Sequence, residues 1–435
     1  MHLRLGISPP SRHKDSDFSR IHVLFCIISS LLIPNFLLKG RNVDFSFEYS
    51  NKNLNFAQTK KEKMAATLDN VSPAILRWAI QRAGYNEEKA VEVFPKLGEW
   101  LSGEKQPTIS QLQRFASKFF VPFGYLFLQQ PPTEVIPFPM FRGEAGQNSH
   151  FDLNVYDTVM NVQSRQDWLE DYLSENEIGV CEIVDSIKLN TPISEAVSLL
   201  RETLRLEPCW AFGYQKIEEA LNALTQELED AGIFLAFNGV VGNNTHRALK
   251  VSECRGFALV NQTAPYIFVN SADSKSAQMF TIIHETAHIM LGISAGHAGE
   301  ELFSHDTVES YCDKVAAEFL VPADVLQDVW TGDIKRASRK FKVSEIVIAR
   351  RAHDLRLMSD TEYRAFWLEY SKRPISKKKD GGGGSFYLTS VKRVGKLFAI
   401  HVRNAVNNRQ LSYTDAYRLT GLYGNTYQHF MNNNV

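Results

Sequence analysis

The sequence contains few cysteines and has almost no net charge. Its 435 residues include five scattered cysteines, and no two of them stand in a C-x-x-C spacing. An odd number of dispersed cysteines argues against a disulfide framework and fits a reducing cytoplasm. The formal net charge is −1, so no global basic field points to nucleic acid. The fractions of hydrophobic (44%) and charged (22%) residues are typical of a soluble protein with two to four domains.

One apolar run near the start is long enough to be considered as a membrane segment. Residues 21–38 are almost uncharged and pass on length as a marginal membrane helix or signal segment, although Pro34 interrupts them. Residues 42–63 show neither helical nor alternating period. We interpret residues 1–63 as an extension outside the folded protein and expect translation to begin at Met64, which leaves no membrane segment. A membrane anchor is the alternative, and a peptide from this range on the cellular protein would favour it.

An H-E-x-x-H set stands inside an apolar, helix-compatible run at 280–291. His284 and His288 are four residues apart, so on a helix they share a face and both imidazoles can bind one metal ion. Glu285 would point at the open coordination position and act as the general base. The alternative is a pair of surface histidines on a helix. The apolar neighbours disfavour it, because they give the segment enough surface to be buried.

A catalytic zinc ion needs a third protein ligand, and Glu309 is the first candidate. It begins a helical pattern that Pro322 ends. Asp313, four residues further on, shares its face and can accept a hydrogen bond from the second nitrogen of a ligand histidine. An ordinary solvated acidic pair is the alternative. Three other residues rival Glu309 as the third ligand: His305, His297 and Glu318.

The two segments together resemble the ImmA/IrrE family of metallopeptidases. The resemblance rests on residues 280–288 and 309–322 and extends over roughly 230–325, including the strand-like runs at 233–237, 255–260 and 266–270. It implies a small gluzincin-like α+β domain, in which a short sheet lies beside the motif helix, and substrates that are typically repressor proteins.

Carried over by position, the resemblance implies one zinc ion bound by His284, His288 and Glu309, with Glu285 as the general base. The family often has Asn where Asp313 stands, and neither residue is a proposed ligand. Tyr311 and His305 are candidates for an oxyanion or substrate contact.

Residues 64–130 read as several short helices with glycine-containing turns, which suits a helix-turn-helix bundle. The stretch 100–122 resembles the second half of Cro/C1-type (XRE family) DNA-binding domains. Seven basic residues against six acidic ones are few for a strong phosphate binder, so a helical module for protein contacts is the alternative. The candidates for DNA contact are Gln81, Lys96, Lys105, Gln111 and Arg114.

The predicted fold class is α+β and mostly helical. Around the helix-turn-helix bundle and the peptidase domain (232–330), we predict a proline-stiffened linker at 131–152 and a helical connector at 153–231. A basic helical pair at 331–376 follows, in which a structural role is favoured over DNA contact. A glycine-rich hinge at 377–385 leads to a helical tail at 386–435, with helices at 387–407 and 412–422 that could dock a substrate or occlude the cleft.

These features predict a bacterial regulator in which a zinc-dependent endopeptidase is joined to a Cro/C1-like domain. The expected reaction is hydrolysis of a peptide bond in a repressor or antitoxin-like partner, or in the protein's own linker. The alternative function is a DNA-binding transcriptional regulator or antitoxin whose peptidase fold senses metal or peptide without cutting.

Overall fold

The computed structural model describes residues 71–142, 152–298, 306–373 and 385–435. Its contacts divide the chain after Glu134 into two compact units, here called unit 1 and unit 2. The predicted extension at 1–63 and the predicted start at Met64 lie outside the described residues. No helix in the described ranges combines the length and the apolar character needed to span a bilayer.

Unit 1 is a bundle of short helices. They are α1 (Pro73–Arg82), α2 (Glu87–Val93), α3 (Leu97–Leu101) and α4 (Ile109–Lys118), followed by a 3₁₀ turn at Phe123–Phe127. Side chains cap two of them, because Asn86 accepts a hydrogen bond from the Lys89 N–H and Thr108 forms a reciprocal capping box with Gln111. The aromatic rings of Phe94, Trp100 and Phe115 pack on one another in the bundle core.

Unit 2 is built on a mixed five-stranded sheet in the order β1–β7–β5–β6–β2. The strands are β1 (Met140–Arg142), β2 (Phe234–Phe237), β5 (Gly256–Leu259), β6 (Tyr266–Val269) and β7 (Ala295–Ala298). β2 runs parallel to β6 and β1 parallel to β7, whereas β5 is antiparallel to both of its neighbours. A separate hairpin joins β3 (Val240–Val241) to β4 (Asn244–Ala248).

The predicted linker at 131–152 is wrong in one part, because residues 140–142 form the edge strand β1. Two prolines at 137 and 139 precede this strand and are typical of a linker. Its partner β7 has the sequence Ala-Gly-His-Ala, which lacks the β-branched residues that favour strands. Neither segment shows an alternating apolar pattern. Their pairing is a long-range contact that local sequence does not encode.

Thirteen helices surround the sheet in the described part of unit 2. Four of them lie within residues 152–298: α5 (Leu153–Glu175), α6 (Ile193–Leu204), α7 (Ile217–Asp230) and α8 (Lys275–Leu291). The next five are α9 (Thr307–Leu320), α10 (Ala323–Val329), α11 (Ile334–Phe341), α12 (Glu345–Asp354) and α13 (Asp360–Tyr370). The tail contributes α14 (Phe386–Val394), α15 (Lys396–Asn407), α16 (Tyr413–Thr420) and α17 (Gly424–Asn433).

Both faces of the sheet are buried, so β2, β5 and β6 read as continuous apolar runs. Leu235, Ile267 and their in-register neighbours pack against a core that includes α8 and α9. Alternate residues such as Tyr266 and Phe257 pack against α5 and the tail. Each face therefore supports its own hydrophobic core.

The tail is docked on the second face, and its helices differ from the prediction. The predicted helix at 387–407 is interrupted at Gly395, and α17 was not predicted. Gly395 has a φ of +90°, and a Cβ atom there would collide with the Leu235 carbonyl oxygen of β2. On α5, the Arg165 guanidinium donates hydrogen bonds to the carbonyls of Leu419 (3.0 Å) and Arg393 (3.0 Å), which ties the tail to the connector.

The predicted mostly helical α+β class with a small sheet is confirmed.

Candidate metal centre

Helix α8 carries the H-E-x-x-H residues through the middle of unit 2. Its first turn is capped by Ser274, whose hydroxyl accepts a hydrogen bond from the Ala277 N–H. From Gln278 to its end the helix is almost entirely buried between the sheet and α9. His284 and His288 are therefore held in place by packing on all sides, with 2% and 1% of their surfaces exposed. The surface-histidine alternative does not describe this helix.

Helix α9 brings a carboxylate to the same place. Asp306 caps it by accepting hydrogen bonds from the Val308 and Glu309 backbone N–H groups, which sets Glu309 in the first turn. Glu309 is 1% exposed although it is a carboxylate. A buried carboxylate needs compensating charge or hydrogen bonds, and here the partners are the two imidazoles.

The three side chains form one cluster. The Nε2 atoms of His284 and His288 lie 3.2 Å apart, and the Glu309 carboxylate is 3.2 Å from the first and 2.9 Å from the second. One potential ligand atom from each residue lies within 4.8 Å of the others. Zinc–nitrogen bonds of ~2.0–2.1 Å at tetrahedral angles separate two ligand nitrogens by about 3.3 Å, so the donor set and its spacing fit a zinc ion.

Asp313 sets the orientation of His284. Its Oδ1 lies 2.9 Å from Nδ1 of His284, on the side of the ring that faces away from the cluster. A proton on Nδ1 donates to this carboxylate and leaves the Nε2 lone pair directed at the cluster. Burial alone would lower the pKa of His284, but the hydrogen bonds and charges of Asp313 and Glu309 hold that pKa well above its ordinary value.

Glu285 lies next to the ligands with both carboxylate oxygens buried and without a hydrogen bond of normal geometry. Burial raises its pKa to about 8, against the lowering effects of the His284 charge and the Ala258 backbone. A buried carboxyl group without a partner is costly in free energy, and such groups occur where a site uses them. A carboxyl group with a raised pKa is a stronger base when it is ionised, so Glu285 is suited to take up a proton and return it.

Gly256 is a positioning residue that the sequence did not single out. It is the first residue of β5, and a Cβ atom there would lie 2.5 Å from Thr281 Cγ2 and 2.8 Å from the Phe268 carbonyl oxygen. The same Cβ would lie 3.5 Å from Glu285 Oε1. The missing side chain lets α8 approach the sheet. A glycine at the start of a predicted strand is too common for the sequence to identify Gly256 in advance.

The other predicted site residues are placed differently. Tyr311 donates a hydrogen bond from its hydroxyl to the Thr191 carbonyl (2.9 Å), so its proton is already engaged. Glu318 contacts the Arg351 guanidinium and accepts a hydrogen bond from the Ala323 N–H, so its carboxylate serves a different ion pair. His305 lies outside the described residues, and His297 is on β7.

Cys312 lies beside the ligand helix residues but belongs to the apolar core. Burial raises the pKa of its thiol well above the ordinary value. A thiol with a raised pKa is a poor metal ligand and a poor nucleophile. Cys312 is therefore a residue of the apolar core.

The five candidates for DNA contact lie on unit 1. Gln81, Lys96, Lys105 and Arg114 are exposed, and the Lys105 ammonium lies 3.1 Å from the Glu99 carboxylate. The Gln111 side chain accepts a hydrogen bond from the Thr108 N–H in the capping box, which engages its carbonyl oxygen. The structure thus leaves four of the five with exposed side chains.

The fold and the cluster define unit 2 as a metallopeptidase-like domain, in which a helix bearing H-E-x-x-H packs between a small sheet and a second ligand helix. Residues 229–353 match the family model of the IrrE N-terminal-like domain. This range contains both histidines, Glu285, Glu309 and Asp313, and it supports the resemblance to the ImmA/IrrE family. It ends one residue before the end of α12 and thus includes both helices of the basic pair, α11 and α12.

A second family model matches the tail at residues 394–433, and its description is a domain of unknown function (DUF8813). No curated protein sequence matches the chain.

Proposed function

We propose that unit 2 is a zinc-dependent endopeptidase that hydrolyses a peptide bond in a repressor or antitoxin-like protein in the cytoplasm. The observation that carries the proposal is the convergence of His284, His288 and Glu309 beside a buried Glu285 without a hydrogen-bond partner. The match to the IrrE N-terminal-like domain supports a metallopeptidase. The repressor-like substrate rests on the family resemblance.

In this proposal each residue of the site has a separate role in hydrolysis. When bound, zinc supplies a Lewis acid that polarises the scissile carbonyl and makes water a stronger acid. Glu285 accepts the proton of the attacking water on a carboxylate oxygen and then donates it to the leaving amine. Asp313 holds His284 in the tautomer that directs Nε2 to the metal. The low dielectric of the buried site strengthens each of these interactions.

The test compares new protein N-termini in cells that express the wild type or Glu285→Gln. Glutamine keeps the shape of the side chain but cannot accept the proton, so we expect the cleavage rate to fall at least a hundredfold (about 10²–10⁴). Mass spectrometry of labelled N-termini then identifies the substrate as the protein that is cut only by the wild type. The purified protein should also contain zinc by elemental analysis.

Glu202→Gln is the matched control, because Glu202 is an exposed glutamate on α6 outside the cluster. It should cleave like the wild type. Cleavage that persists in Glu285→Gln would refute the proposed mechanism. Zinc binding without any substrate cut by the wild type would instead favour the rival function, a regulator whose peptidase fold senses without cutting.

Unit 1 gives the peptidase a regulatory setting in this proposal. Its short capped helices are compatible with a Cro/C1-like DNA-binding domain that controls transcription. The near balance of basic and acidic residues in 64–130 favours weak DNA binding or protein contacts. Replacing Lys96 and Arg114 together by alanine should weaken promoter binding if unit 1 contacts phosphates.

A further inference from the structure

The last two helices of the chain form a helix-turn-helix pair outside the metal centre. Three residues, 421–423, join α16 to α17. Gly421 begins this turn with a φ of +69°, and its N–H donates a hydrogen bond to the Tyr417 carbonyl (2.8 Å). Two helices joined by a three- or four-residue turn that contains glycine are the form in which many DNA-binding proteins present a recognition helix.

The pair is packed on the core that covers the second face of the sheet. Six of its residues are buried: Ala416, Thr420, Leu422, Tyr427, Phe430 and Met431. The rings of Tyr417 and Tyr427 lie 5.1 Å apart and connect the two helices directly. The buried residues of α16, the turn and α17 share one core with α15 and the sheet, so the pair presents a fixed surface and not a mobile one.

The outward face of α17 is built for hydrogen bonding without charge. Asn425, Gln428, His429 and Asn432 are exposed, and their spacing places them on one face of the helix. Asparagine and glutamine amides carry donor and acceptor together, which lets them form two hydrogen bonds with the edge of adenine in the major groove. An acidic residue would repel phosphates, and α17 contains none.

The tail that carries this face is basic in composition. Residues 386–435 contain six basic residues and one acidic residue, whereas 64–130 contain seven and six. The six are Lys392, Arg393, Lys396, Arg403, Arg409 and Arg418. Arg409 is exposed just before α16, and Arg418 on α16 is 68% exposed with only a distant Asp415 carboxylate at 3.5 Å. An exposed pair of this length is worth little, so Arg418 can exchange it for a phosphate.

We propose that α16 and α17 form a DNA-reading module that binds duplex DNA, with α17 in the major groove. Asn425 and Gln428, near the start of α17, contact base edges, while Arg409 and Arg418 contact phosphates. The proposal concerns the tail alone and is independent of the peptidase function proposed for unit 2.

The test is selection of full-length protein on a library of duplex DNA with a random core, followed by fluorescence anisotropy on the enriched duplex. The wild type should enrich a defined sequence. Asn425→Ala/Gln428→Ala should lose at least about tenfold in affinity for it, because each bidentate base contact contributes to discrimination. Arg418→Ala should weaken binding to all duplexes equally and reduce the salt dependence by about one charge.

Two control variants distinguish DNA binding by the tail from DNA binding elsewhere on the chain. Asn404→Ala changes an exposed amide on α15 outside the pair and should bind like the wild type. Lys96→Ala/Arg114→Ala on unit 1 should still enrich the same sequence even where its overall affinity for DNA falls, because Asn425 and Gln428 read the bases. Circular dichroism and thermal unfolding verify that the variants are folded.

The proposal is overturned if the wild type enriches no sequence, or if Asn425→Ala/Gln428→Ala enriches the same sequence with unchanged affinity. Loss of the enriched sequence only in the unit 1 variant would assign DNA reading to unit 1 and also refute it. Binding to single-stranded RNA in place of duplex DNA would contradict the groove-reading geometry.

Discussion

At the scale of single residues, local spacing carried much of the prediction. The distance of four residues between His284 and His288, and again between Glu309 and Asp313, fixes which side chains share a helix face. In the structure the His284 ring lies within hydrogen-bond distance of the side chains of His288, Glu309 and Asp313. Gly256 could not be identified in the same way, because its role comes from the approach of α8 to β5 in three dimensions.

Asp313 provides the first prediction at this scale. Asp313→Ala should weaken zinc binding by about 10- to 100-fold, because His284 loses the acceptor that fixes its tautomer. Asp313→Asn should lose much less zinc affinity, since the amide oxygen can still accept the hydrogen bond. Competition with a chromophoric chelator measures both affinities. Asp328→Ala, an exposed aspartate on α10, is the control. Equal zinc affinity in Asp313→Ala and the wild type would contradict this role.

At the scale of elements, prediction followed the strength of the local pattern. Apolar runs identified β2, β5 and β6, an apolar helix-compatible run identified α8, and helical periodicity identified α9. Among the missed elements, β1, β7 and α17 have weak patterns: the strands are short and poor in β-branched residues, and α17 is rich in asparagine. Tertiary contacts stabilise them, and a local reading of sequence does not contain those contacts.

The junction between α14 and α15 gives a prediction about how the tail is attached. Gly395→Ala should destabilise unit 2 by about 1–3 kcal/mol, because the new Cβ collides with the Leu235 carbonyl oxygen in a backbone conformation that already disfavours a side chain. Chemical denaturation followed by tryptophan fluorescence measures the free energy of unfolding.

Gly332→Ala is the matched control for that variant. Gly332 has a φ of +80° but open space around its would-be Cβ, so its substitution introduces backbone strain without a collision. Gly332→Ala should therefore lower the free energy of unfolding less than Gly395→Ala does. Equal losses would show that Gly395 contributes only its backbone conformation and not a close contact with β2.

At the scale of the whole molecule, the two units have separate cores, and the candidate metal site lies entirely within unit 2. A ligand stabilises only the cooperative unit that binds it. The metal should therefore act on one part of the chain and leave the other unchanged.

Calorimetry of the full-length protein tests this expectation. Zinc at about a thousand times its dissociation constant should stabilise unit 2 by about 4 kcal/mol, and a chelator should reverse the shift. A second transition, assigned to unit 1, should not move. His288→Ala should abolish the zinc effect. A chelator that shifts both transitions equally would contradict the assignment of the metal to unit 2.

The strand β1 has a consequence for how a substrate peptide enters. Many peptidases and peptide-binding domains take up an extended ligand by β-augmentation, in which the ligand becomes an additional strand. Here residues 140–142 already pair with β7, which follows directly after the motif helix. A peptide that pairs with β7 must first displace this segment of the same chain. Its apparent affinity is then the intrinsic affinity multiplied by the fraction of molecules in which β1 is detached, so β1 competes with the substrate for β7.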